Sequence, residues 1–171
     1  MDNTTTMDHA EFTARRSLPM MALRGLTVFP GMMLTFEVER SMSIAALNMA
    51  MSDDQIIYLV PQKDIATDIP TPDDVYGVGT VCRIKQMMKQ PGTKTIRVMA
   101  EGIERGRTLA VRTDMPCFVA EVEPMPDVQE RKMARTEALI RHCCNLFDAY
   151  VTASGNMAPE SVISVLGSTN A

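Results

Sequence analysis

Between Leu18 and Glu123 several stretches place apolar residues at every second position, and beyond Glu123 the spacing becomes helical. In LPMMALRGLTVFPGMMLTFEVER, residues 18–40, two apolar runs flank Phe29-Pro30-Gly31 and predict a strand, a tight reversal and a second strand. Leu34, Phe36 and Val38 alternate with Met33, Thr35 and Glu37, the period of a half-buried strand. The reversal is unusual in carrying Val28, Phe29, Met32 and Met33, where most turns are polar. Such a turn is either covered or a contact surface.

The remaining pattern fills in a small sheet. Ser41 or Ser43 is placed to cap a helix through Ser52, with Ile44, Leu47 and Met51 as its apolar stripe. The unbroken run Ile56–Val60 predicts a strand covered on both faces. Residues 63–74, KDIATDIPTPDD, predict an extended acidic surface loop; its aspartates lack the glycine and terminal glutamate of a calcium loop. A hairpin follows around Pro91-Gly92. Its first strand carries Val78, Thr80, Cys82, Ile84 and Gln86 on one face and Val81, Arg83, Lys85 and Met87 on the other. Its second strand turns Ile96, Val98 and Ala100 inward against Arg97, Met99 and Glu101. GRTLAVRT and MPCFVAEVE add two short strands, with Leu109, Val111, Phe118, Ala120 and Val122 as core candidates. The expected fold class is α+β: six or seven strands curling toward a barrel, with one helix.

At Pro124 the pattern changes. PMPDVQ reads as a linker, and residues 130–154 contain neither Pro nor Gly and predict a long helix with Gly155 as its stop. Met133, Ile140, Cys143, Phe147 and Tyr150 form one stripe, widened by Leu139 and Leu146. Pro159 opens a second short helix, PESVISVLG. The expected organisation is thus a frayed polar start at residues 1–16, a β domain at 17–124 and a helical segment at 125–171. One short helix leaves the long one's stripe uncovered, so the chain reads as a piece of a longer polypeptide.

Composition narrows the function. A net charge of −4 and a pI near 5.2 argue against a large phosphate-binding face, which makes nucleic acid an unpromising partner. No apolar run approaches a membrane span and the N-terminus has no signal-peptide core, so a cytosolic chain is expected. Cys82, Cys117, Cys143 and Cys144 form no C-x-x-C pair and read as reduced thiols. The sixteen methionines either fill core gaps as flexible apolar side chains or supply an adaptable surface.

Motifs for catalysis are missing. PGTKT lacks the first glycine and the Gly-Lys pair of a phosphate loop, and YGVGTVC opens into a strand instead of a helix. His142 and Cys143 are adjacent on a helix and point about 100° apart, too far to share a proton. No residue is expected to be catalytic or to bind a metal.

LPMMALRGLTVFPGM at 18–32, ERSMSIAALNMAM at 39–51, IIYLVPQKD at 56–64 and DDVYGVGTVCRIKQMMKQPGTKTIRVMAEGIERGR at 73–107 resemble, in order and spacing, the N-terminal substrate-recognition domain of Lon ATP-dependent proteases. The helical tail is similar to the start of the helical subdomain that follows in that family. The resemblance implies a PUA-like β fold and a hexameric parent. It further implies an AAA+ ATPase, using ATP and Mg, and a serine-lysine protease domain further along the parent. Neither segment is present here, so no catalytic residue carries over, and no cofactor is expected in this chain.

A non-catalytic module that captures unfolded or tagged proteins follows as the leading expectation. Phe29, Met32 and Met33 at the turn, with Met87, Met88 and Met99, are the candidate substrate contacts. A second expectation makes the long helix, through Met133, Ile140, Phe147 and Tyr150, an assembly arm giving dimers of the fragment. A stand-alone Lon-domain interaction protein, or an RNA-binding relative disfavoured by the acidic charge, is the third.

Overall fold

The computed structural model describes residues 14–89, 92–126 and 134–155. The chain divides into two compact units, residues 1–127 and 128–171. In the first, the strands are β1 (Arg16–Leu23), β2 (Met33–Val38), β3 (Ile56–Pro61), β4 (Val78–Lys89), β5 (Ile96–Arg112) and β6 (Phe118–Met125). The helix α1 (Ser41–Met51) lies between β2 and β3.

Within the sheet the order is β2-β5-β4-β3-β1-β6, and β6 returns to pair with β5. Only β1 and β3 run parallel. The ring β1-β3-β4-β5-β6 therefore closes on itself, and β2 stands outside it. The long strand β5 makes this arrangement work. One edge follows β4, while the other gives residues 96–101 to β2 and residues 105–112 to β6. Closing most of a sheet in this way removes edges that would otherwise be open to foreign strands.

Several expectations change at this point. The apolar runs around Phe29-Pro30-Gly31 are both strands, yet they do not pair with each other. β1 lies between β3 and β6, and β2 pairs with β5. The hairpin's second strand and the short strand expected at GRTLAVRT are one strand, β5. Gly106 sits mid-strand, opposite Gly79 on one side and Pro124 on the other. Leu109 is exposed and Val111 half-buried, whereas Phe118, Ala120 and Val122 are in the core. On β4, a register shift between Ile84 and Gln86 reverses the expected faces, leaving Gln86 outside and Met87 half-buried.

Period-two alternation sends neighbouring residues into two different cores. From β1 and β3, Met21, Leu23, Ile57 and Leu59 pack with Ala46, Leu47 and Ala50 of α1. Leu18, Met20, Ile56, Tyr58 and Val60 pack with Val81, Phe118, Ala120 and Val122. This is why β3 is apolar without a break. The inward face of α1 is Ser43, Ala46, Leu47 and Ala50, and the expected stripe survives only at Leu47. Ile44 is half-buried and Met51 is exposed, because the small residues let the helix lie closer to the sheet than Ile and Met would. Neither serine caps it. The N-cap is Arg40, in extended conformation, whose guanidinium is engaged elsewhere.

In the second unit, α2 (Ala134–Ser154) ends with the Gly155 N–H donating to the Val151 carbonyl at 3.1 Å. Pro124 and Met125, expected in the linker, instead end β6; Met133, residues 127–129 of the expected linker and the short helix from Pro159 lie outside the described residues.

Candidate functional site

Pro30 and Gly31 are the central residues of a type II turn. The Met32 N–H donates to the Phe29 carbonyl at 3.1 Å, and Gly31 has φ +76°, a conformation that favours glycine at that position. The turn is fixed to β5, with the Gly31 N–H donating to the Gly102 carbonyl and the Gly102 N–H to the Met32 carbonyl, both at 2.9 Å. Behind it, Val28 is buried and its carbonyl accepts the Thr80 hydroxyl at 2.6 Å. A backbone anchored on both sides holds its side chains in water: Phe29 is 57% exposed, Met33 55% and Met32 37%.

Register continues this surface across β2, β5 and β4. Met33 lies opposite Glu101, which is opposite Arg83; Thr35 opposite Met99, then Gln86; Glu37 opposite Arg97, then Met88. Cross-strand ion pairs, Arg97–Glu37 at 2.8 Å and Lys85–Glu101 at 2.6 Å, tie the rows together. Met88 is exposed and Met99 half-buried on the same face. Five of the six candidate contacts thus lie at the turn or on one outer face, where thioethers alternate with paired charges. Met87 does not. It packs against the core that includes α1, placed there by the β4 register shift.

On α2 no residue is buried among those described. Ile140 and Tyr150 are exposed, as are Leu139 and Leu146, while Phe147 is half-buried together with Cys144 and Val151.

A second feature escaped the sequence reading. A cleft of about 700 Å³ runs between β2 and the end of β1, lined by Met21, Leu23, Leu26, Phe36, Arg40 and Ile69 among others. Its rim is the acidic loop, which is more ordered than its composition implies. Arg40 donates to the Ala22 carbonyl at 3.0 Å, to Gln62 Oε1 at 3.3 Å and to the Asp68 carbonyl at 3.4 Å. Burial, with Arg24 nearby, lowers its pKa, and Asp68 opposes that shift. Arg24 pairs with the Asp68 carboxylate at 2.8 Å. The buried Gln62 donates to the carbonyls of Asp64 and Thr67. Asp74 accepts the Thr71 N–H and hydroxyl, which hold its carboxyl below the ordinary range. The available signal was Ile65 and Ile69, two apolar residues inside a run of aspartates; both are exposed, Ile69 by 79%.

Reactive chemistry is sparse. Among the described residues no group of three or more His, Cys, Asp or Glu could hold a metal ion. Cys82 is buried and its thiol is pushed up to about 12 by that burial; Cys117 is pushed up for the same reason. No described helix is long and apolar enough to cross a membrane.

Solved structures with this architecture include two described as Lon N-terminal domains. One from Mycobacterium avium complex superposes with a TM-score of 0.70 at 18% identity, covering 88% of this chain and 74% of that one. A Lon N-terminal domain protein from Xanthomonas campestris gives 0.57 at 15% identity, covering 76% and 72%. At those identities the likeness establishes the fold. Residues 17–171 match the model of the ATP-dependent protease La (LON) substrate-binding domain, and the chain belongs to that family. Relatives include the Lon proteases of Clostridioides difficile, 36% identical over 95% of this chain, and Desulforamulus reducens, 42% identical over 88%. The matched region spans 20% and 18% of those two proteins.

Proposed function

We propose that this chain captures unfolded or tagged proteins for an ATP-dependent Lon-type serine protease in the cytoplasm, with ATP, Mg and the serine-lysine chemistry belonging to other segments of the parent. The observation that carries the reading is the hydrogen-bonded Phe29–Met32 turn, which keeps Phe29 and Met33 exposed beside Met88 and Met99. Methionine repacks around varied apolar partners, and the flanking ion pairs keep the face soluble between encounters. A shallow surface of this kind binds on the order of micromolar or more weakly.

Photo-crosslinking to reduced, carboxymethylated α-lactalbumin, a permanently unfolded chain, tests this reading. Phe29→Ser with Met33→Ser is expected to lower crosslinking severalfold while leaving the melting temperature within a degree or two. A melting temperature that collapses while crosslinking per folded molecule stays constant would refute it.

The bare face of α2 favours a second role in assembly, with Leu139, Ile140, Leu146 and Tyr150 pairing copies of the domain within a hexameric parent. Sedimentation over a range of concentrations tests it: Leu139→Glu with Leu146→Glu is expected to abolish dimers formed by the unaltered chain.

A further inference from the structure

β2 is the end strand of the sheet, and its outer edge pairs with no described strand. Ladder alternation determines which of its backbone groups are available. The Gly102 N–H donates to Met32 O, so Leu34, Phe36 and Val38 direct their N–H and C=O toward β5, whereas Met33 and Thr35 direct theirs away from it. Six successive pairs with β5 run without a register shift, and MLTFEV contains neither Pro nor Lys. The edge therefore has none of the bulges, prolines or lysines that usually block addition of a strand.

This edge faces the cleft beside β1. Pairing of β6 with β1 ends at Met20, so Met21–Leu23 pass beyond it on that side. The Ala22 carbonyl there is already held by Arg40. Leu26, Phe36 and Ile69 supply apolar contacts along the same walls.

We propose that an extended segment of an unfolded client enters this cleft and adds to β2 as a further strand. The proposal rests on the client-capture reading above and assigns it a site and a binding mode. An unpaired row of peptide groups is matched by extended backbone, whatever side chains that backbone carries. Folded proteins keep such backbone in their own secondary structure. Strand addition thus selects for unfolded chains without reading their sequence, and the Met33–Met99–Met88 face next to it adds apolar contacts.

Reduced, carboxymethylated α-lactalbumin serves as the probe in two measurements. Thr35→Pro removes one outward N–H and no hydrogen bond to β5; it is expected to weaken binding by about fivefold or more at an unchanged melting temperature. In the unaltered chain, saturating probe is expected to slow amide exchange at Met33 and Thr35, and this second measurement decides the matter if the proline variant does not fold. Binding by the unaltered chain with unchanged exchange at both amides, or with full affinity in folded Thr35→Pro, would overturn strand addition while leaving client capture in place. No binding by the unaltered chain would overturn both. Protection of the same amides without probe, rising with protein concentration, would assign the edge to a second copy and overturn the client as its occupant.

Discussion

A Cβ built on Gly102 would stand 2.2 Å from the carbonyl oxygen of Phe29. The exposed turn and the middle of β5 are thus in backbone contact, and only glycine at position 102 permits it. Gly102→Ala must push the turn off the strand and stretch the two hydrogen bonds that join them. We expect a loss of about 1–3 kcal/mol, read as a melting temperature lower by roughly 5 °C. Client crosslinking should fall as well, since Phe29 would no longer be held in place. Unchanged melting would show that the turn is not anchored as described.

Tyr58 joins β3 to the stretch of β5 around Gly106. Its ring is fully buried, and its hydroxyl donates to the Gly106 carbonyl at 2.8 Å and lies 3.1 Å from the Thr108 hydroxyl. Tyr58→Phe keeps the packing and strands a buried carbonyl, so a loss of about 1–2 kcal/mol is expected in urea unfolding, with client binding per folded molecule unchanged.

How much of this was legible in the chain depended on whether the determining contact was local. The alternation at Leu34, Phe36 and Val38 and the unbroken run Ile56–Val60 identified their strands, because burial pattern follows from the two-residue period itself. The turn at Pro30-Gly31 was legible from its residue types. What the sequence could not show was partner choice. Nothing between residues 18 and 40 reveals that the flanking strands separate, one to β3 and β6 and the other to β5. The shift at Lys85 that draws Met87 inward depends on β5 in the same way. The cleft was missed because Arg40, Gln62 and Asp68 meet through long-range hydrogen bonds, and none of them belongs to a motif.

Arg40 supplies the next expectation. Its guanidinium connects the end of β1, the end of β3 and the acidic loop, and Lys cannot reproduce a fork of donors to three acceptors. Arg40→Lys should cost about 1–2 kcal/mol and raise the rate of tryptic cleavage at Lys63 within the loosened loop. Cleavage at the rate of the unaltered chain would mean that the Arg24–Asp68 pair and Gln62 hold the loop unaided.

Cys82 gives the fold a pH dependence of definite sign. In the native state burial keeps its thiol protonated up to about 12, whereas in the unfolded chain it ionises near 8.5. The folded pKa is the higher one, so the contribution is complete below about 8.5 and is lost as pH rises from there toward 12. By pH 10 the loss attributable to Cys82 is on the order of 2 kcal/mol, and the raised Cys117 thiol and Tyr58 hydroxyl act in the same direction. Urea unfolding at pH 7.5 and pH 10 should show a steeper fall for the unaltered chain than for Cys82→Ala. Alkylation with iodoacetamide at pH 8 gives an independent check. Cys143 is exposed and should react within minutes, while Cys82 and Cys117 should stay unmodified until urea opens the fold. Modification of Cys82 in the native chain at the rate of Cys143 would show that the wall between the two cores is open to solvent.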